Sequence, residues 1–200
     1  LANNTRAVYQ RKEGVTVEYV TIASTGNPSD FGDATVYRRN GAAGFASTTR
    51  GCIASGMDAS SGTLRNQIDY ITLGSTGNAT DFGDLTVAVY GPTGCSNATR
   101  GLILGGETGS GYSNVIDYVT IATAGQTNYD FGDLLAGVTN ATACASSTRG
   151  VYIGGLTPTK LTRLDFITIA SQGNAIDYGD LTTAARGPAG VSNSVTGFAS

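Results

Sequence analysis

The stretch TDFGDLT at 80–86 contains Asp-Phe-Gly, the tripeptide that holds magnesium in protein kinases. A kinase site also needs a glycine-rich phosphate loop, a Val-Ala-Ile-Lys strand and a His-Arg-Asp loop, and none of these accompanies it. Nearly the same string recurs as SDFGDAT at 29–35, YDFGDLL at 129–135 and IDYGDLT at 176–182. A catalytic loop is needed once; a carboxylate pair that occurs four times reads as architecture. Two carboxylates three residues apart around a Gly turn also offer the hard oxygen ligands that calcium takes, with Asp81, Asp84, Asp130 and Asp133 as candidates. The stronger reading is an Asp side chain that accepts backbone N–H groups in a tight turn.

Other chemistry is sparse. The 200 residues include no His, which removes the Ser-His-Asp and Cys-His nucleophiles, the His-Glu-x-x-His zinc sites and the commonest general base. Three cysteines, Cys52, Cys95 and Cys144, form no C-x-x-C pair. Cys95 and Cys144 share a repeat position at which the other units carry Gly44 and Val191, so a buried thiol is expected there. Net charge is −3 and the 12 basic residues are scattered, which gives no footprint for nucleic acid. Long apolar runs are absent, so no membrane-spanning helix is expected. Nothing calls for a cofactor, and no enzyme activity is expected.

The elements that carry the Asp pairs are themselves repeated. The second Asp of each pair falls at Asp33, Asp84, Asp133 and Asp180, in steps of 51, 49 and 47. A strand aromatic falls at Tyr19, Tyr70, Tyr118 and Phe166, each preceded by an acid (Glu18, Asp69, Asp117 and Asp165). A Thr-Arg pair ends at Arg6, Arg50, Arg100 and Arg149. Arg50, Arg100 and Arg149 are expected to reach a carboxylate of a D-[FY]-G-D turn, or a backbone carbonyl within a unit or across to the next. The units run approximately 1–43, 44–93, 94–142 and 143–190, with the start of a further unit at 191–200.

Turn residues and β-rich runs place four strands in a unit: GCSN, GLILGG, VIDYVTIAT and YDFGDLLAG in the third. In IDYVTIA, Ile116 and Tyr118 point to one face while Val119 and Ile121 point to the other, so both faces are apolar. Such a strand needs a neighbour on each side. Four-stranded antiparallel blades stacked around an axis supply them, so an all-β propeller of about four repeats is expected, with a β-solenoid the runner-up.

The order Arg, apolar strand, double Gly, loop, then Tyr in a strand resembles the kelch propeller repeat. The strings YVTIATAGQTNYDFGDL and SSTRGVYIGG are similar to a kelch-like repeat in structural proteins of tailed bacteriophages, marine ones among them. The resemblance covers essentially the whole chain. Departures are the absence of Trp, Ser55-Gly56 in place of a double Gly, and Arg11-Lys12 at that position in the first unit. The resemblance implies a non-enzymatic structural or appendage protein, in a virion or another extracellular setting, whose partners are other assembly proteins or its own copies.

A binding module for a cell-surface glycan or protein is the alternative function. It would act through the loops that differ most between units, with Asp58, Arg65, Tyr112 and Lys160 as candidate contacts. At the chain ends, Ser192-Asn193 and Gly197 match Ser96-Asn97 and Gly101, and Thr196 takes the Arg position. An excerpt of a larger propeller is expected rather than four closed blades, with partner contacts at Arg6 to Gln10 and Thr196 to Ser200.

Overall fold

The computed structural model describes residues 1–11, 14–39, 41–58, 60–125, 130–190 and the backbone of 198–199. The described elements are all strands, paired antiparallel, and no helix is long and apolar enough to cross a membrane. The first unit gives a three-stranded sheet, β1 (Arg6–Gln10), β2 (Gly14–Thr21) and β3 (Ser29–Arg38), paired in that order. The second gives β4 (Ala43–Ala46), β5 (Arg50–Ala54), β6 (Arg65–Thr72) and β7 (Thr80–Val89), a sheet in chain order.

The third unit repeats this order with β8 (Thr93–Ser96), β9 (Arg100–Leu104), β12 (Val115–Thr120) and β13 (Asp130–Asp133). Its expected loop holds a small hairpin, β10 (Glu107–Thr108) with β11 (Gly111–Tyr112). The fourth has β14 (Thr142–Ala145), β15 (Arg149–Ile153), β17 (Thr159–Thr168) and β18 (Ile176–Ala185), with β16 (Leu156–Thr157) folded back on β17. β19 (Phe198–Ala199) pairs with β8. Thr196, Val191 and most of the further unit at 191–200 lie outside the described residues.

Local chemistry fixes the tight turn before each Arg strand. The side chain of Asn3, Ser47, Asn97 or Ser146 accepts the backbone N–H groups two and three residues on, for example Thr99 N at 3.0 Å and Arg100 N at 2.8 Å on Asn97 Oδ1. Such self-bonded turns join the strand pairs β4–β5, β8–β9 and β14–β15 without a longer loop. The first strand of the second, third and fourth units starts one residue before the boundary read from sequence.

Among the described residues each apolar cluster spans two adjacent units. One cluster joins Val8, Val17 and Phe31 of the first unit to Ala46, Ile71 and Leu73 of the second. Another joins Phe45, Ile68, Phe82 and Val89 of the second to Ile103, Val119 and Ile121 of the third. The last joins Leu102, Leu104 and Ile116 of the third to Tyr152, Ile167 and Ile169 of the fourth. The two faces of β12 thus go to two cores, Val119 backward, joined by Ile121 just past the strand end, and Ile116 forward with Tyr118 packed beside it.

Close approach explains the glycine that follows Thr-Arg in the second, third and fourth units. A Cβ at Gly101 would sit 2.2 Å from the Phe45 ring, and one at Gly150 would sit 2.8 Å from Cys95 Sγ. The strand register also corrects the cysteine position. Cys95 faces Leu102, Cys144 faces Val151 and Phe45 faces Cys52, so Phe45 rather than Gly44 is the equivalent residue. The second unit therefore inserts a ring where the third inserts a thiol. We expect Gly101→Ala to destabilise the chain by about 1–3 kcal/mol through overpacking, whereas Gly109→Ala, with open space around it, changes little. Chemical denaturation of both variants checks this.

Candidate functional site

The repeated residues converge on the junctions between units, and the first three D-[FY]-G-D strings are each one side of a junction. In the first unit β2 and β3 pair Val17 with Gly32 and Glu18 with Asp30, leaving Phe31 as an extra residue in a β-bulge. The same shift recurs in the other three units. The first Asp stabilises the bulge: Oδ1 of Asp30, Asp81, Asp130 and Asp177 accepts the N–H of the Gly two residues on, at 2.9–3.2 Å. The bulge turns Phe31, Phe82, Phe131 or Tyr178 edge-on against the strand aromatic, with centroids 5.7–6.1 Å apart.

Glycine is required inside the bulge. Gly32 and Gly132 have φ of +139° and +144°, and a Cβ on either would lie 2.5–2.6 Å from the backbone of Gly77 or Gly173 in the next unit. That approach allows a backbone clip. Phe31 O accepts from Gly77 N at 2.7 Å, and Asp33 O accepts from Ala79 N at 2.7 Å. Asp33 N donates to Asn78 Oδ1 at 3.0 Å. Phe131 O, Asp133 O and Asp133 N repeat all three bonds with Gly173, Ala175 and Asn174. At the junction between them, Phe82 O accepts from Gly125 N at 2.7 Å.

The arginines form the second contact, and they do not pair with the D-[FY]-G-D carboxylates. Arg6, Arg50, Arg100 and Arg149 lie over Tyr19, Tyr70, Tyr118 and Phe166 at 4.3–4.7 Å from the ring centroids. Three of them also donate from NH1 into the next unit: Arg6 to Leu73 O at 3.1 Å, Arg50 to Ile121 O and Arg100 to Ile169 O, both at 2.8 Å. Of the two expected acceptors, a turn carboxylate or a backbone carbonyl, the carbonyl across the junction is the one used, because stacking on Tyr118 aims the Arg100 guanidinium at the neighbouring strand. Arg149 is exposed, and its described contact is with Phe166.

A buried carboxylate makes the third contact. Asp69 accepts from Thr35 N at 3.0 Å and from the Thr35 hydroxyl, both in the preceding unit. Asp117 does the same with Thr86, N at 3.0 Å and Oγ1 at 2.9 Å. At the first of these junctions the fully buried Arg38 adds an ion pair, NH1 to Asp69 at 2.7 Å, while its Nε donates to Ser55 O. Where Arg38 stands, the equivalent contact with the next unit is made by Val89, so Asp117 has no such cation. Burial therefore pushes the Asp117 carboxyl up from its ordinary value, against the Thr86 hydrogen bonds that hold it down. Asp165 is also raised by burial, opposed by Arg163, whose Nε donates to it at 3.0 Å.

The remaining candidates stay apart. Asp58 and Arg65 pair with each other at 2.6 Å, and hydrogen bonds from Ser60 and then Arg65 hold the Asp58 carboxyl well below the usual range. Tyr112 sits on β11 and Lys160 on β17, each in its own unit. Burial pushes the Cys52 and Cys95 thiols up to about 12, and it raises Cys144 as well. Among the described residues no group of three or more His, Cys, Asp or Glu side chains could hold a metal ion. A groove of about 350 Å³ runs beside β1 and β4, lined in part by Leu1, Tyr9, Gln10 and Arg38.

No family model and no curated protein matches the chain.

Arg100→Ala removes a stacked cation and a charged hydrogen bond, so we expect a loss of about 1–3 kcal/mol, read from thermal or urea unfolding. The buried acids separate more sharply. Asp69→Asn strips Arg38 of its counter-charge and is expected to cost about 3–5 kcal/mol. Asp117→Asn keeps an acceptor for Thr86 and abandons no cation. Because the folded pKa of Asp117 is raised, the folded chain holds more protons than the unfolded chain above the ordinary carboxylate pKa, and this group's contribution falls as pH rises. Asp117→Asn should therefore gain on the parent as pH increases from about 4, in unfolding midpoints measured across pH.

Proposed function

We propose that this chain is a non-catalytic structural protein, a β-propeller segment of kelch-like blades that acts as a rigid assembly and display element. The observation that carries this reading is the use made of the repeated ionisable groups. At the junctions between units, the arginines, the acids before the aromatics and the D-[FY]-G-D turns serve docking. Chemistry that needs a free, unrepeated acid–base pair has no place in such a pattern.

Two features support the propeller form. The units share one strand order, and the first strands β4, β8 and β14 lie against one another in sequence, as the inner strands of blades around an axis would. The kelch-like resemblance gives the setting, a bacteriophage virion or a similar extracellular assembly, and other assembly proteins are the partners.

A panel of cell-surface glycans presented to the purified chain tests the reading. We expect no selective retention. Retention of one glycan class that is lost in Arg65→Ala or Lys160→Ala would move the function to the loops and make the chain an adhesion module. An experimentally determined structure with the units in a straight stack, sharing no axis, would overturn the propeller form.

A further inference from the structure

The two outer faces of the array are the two halves of its internal junction. On the first unit, Val20 and Ile22 occupy the positions of Ile71 and Leu73, which the preceding unit covers in the second. Ile22 is 54% exposed, against 0% for Leu73. On the fourth unit, Tyr178 takes the place of Phe131 and is 58% exposed, against 3%. Tyr178 still packs edge-on against Phe166, and Arg149 still stacks over that ring. The forward face is thus assembled in its docking geometry and bears no further unit among the described residues.

The polar groups match as well. The internal junctions use an Arg that donates to the carbonyl three residues after an aromatic and a clip around the D-[FY]-G-D glycine, and two of the three add a Thr that donates to the acid before the aromatic. The fourth unit offers Arg149, the Tyr178 carbonyl, Asp180 N–H and Thr182. The first unit offers the Ile22 carbonyl, Gly26 N–H, the Asn27 side chain and Glu18. Gly179, at φ +138°, has nothing within 4 Å of where its Cβ would be, where Gly132 meets the next unit.

We propose that the fourth unit of one copy of this chain docks the first unit of a second copy, head to tail, through a repetition of the internal junction. The proposal rests on the assembly reading above and names its partner. The contact is heterologous: two copies stop at a dimer if the rotation closes, and otherwise continue into a longer array. It is also weaker than its internal counterparts by one hydrogen bond. Pro28 stands where Ala79 and Ala175 donate an N–H to the second Asp, and proline has none to give.

Sedimentation velocity of the full chain over a concentration series tests this, with two variants that each block one face. Ile22→Asp and Tyr178→Asp alter side chains that are exposed in the single chain, so circular dichroism should match the parent. The parent is expected to associate with rising concentration, and each variant alone to stay monomeric. An equimolar mixture should restore a one-to-one pair and nothing larger, because the free forward face of Ile22→Asp meets the free backward face of Tyr178→Asp. Arg149→Ala, which leaves the apolar face intact, should weaken association without abolishing it. A parent that stays monomeric at every concentration, variants that associate as the parent does, or a mixture that fails to pair would each overturn the proposal. None of those results bears on the internal junctions, which the unfolding of Arg100→Ala tests separately.

Discussion

Among the described residues no apolar cluster belongs to one unit alone. The described apolar clusters each draw large buried side chains from two adjacent units. A single sheet of three or four strands would expose two apolar faces and have little reason to fold alone. Stability in such an array is a sum of unit and neighbour terms, and here every described apolar cluster contributes to a neighbour term. The other repeated features follow from that constraint: the glycines let backbones approach, the bulge turns an aromatic into the junction, and the arginine bridges to the next strand.

Polar groups inside such a junction have to be satisfied across it. Each junction buries a carboxylate, and two of these accept a threonine N–H and hydroxyl from the unit in front. A buried charge held only by hydrogen bonds still bears a desolvation cost, and the junctions meet it differently. Arg38 supplies a full counter-charge to Asp69, Asp117 relies on Thr86, and Asp165 uses Arg163 from its own strand. The framework is repeated while its electrostatics are not.

The period, the strand class and the residues that matter were legible in the sequence, because spacing alone exposed Asp33, Tyr70 and Arg100 as copies of one pattern. Their partners were not. Arg100 meets a carbonyl 69 residues away and Asp117 a threonine 31 residues back, and nothing local ties either to its acceptor or donor. The recurring Gly-Asn at 26–27, 77–78 and 173–174, and the Thr two residues after the second Asp, were signals available at the same spacing. They are the receiving half of the clip and the donor to the buried acid. Arg38 breaks the pattern, and periodicity cannot show what occurs once.

The shared backbone framework of the latch makes the number of units a variable the architecture tolerates. If the second unit were excised in frame, the first would meet the third, and the parts would still fit. Phe31 would find the Gly125 N–H, Arg6 would find the Ile121 carbonyl, and Thr35 would find Asp117. Arg38, whose charge looks specific to its place, would meet the one internal acid that lacks a cation. Gain or loss of a repeat by recombination would therefore change the span of the protein without creating an unpaired charge or an unfilled seam.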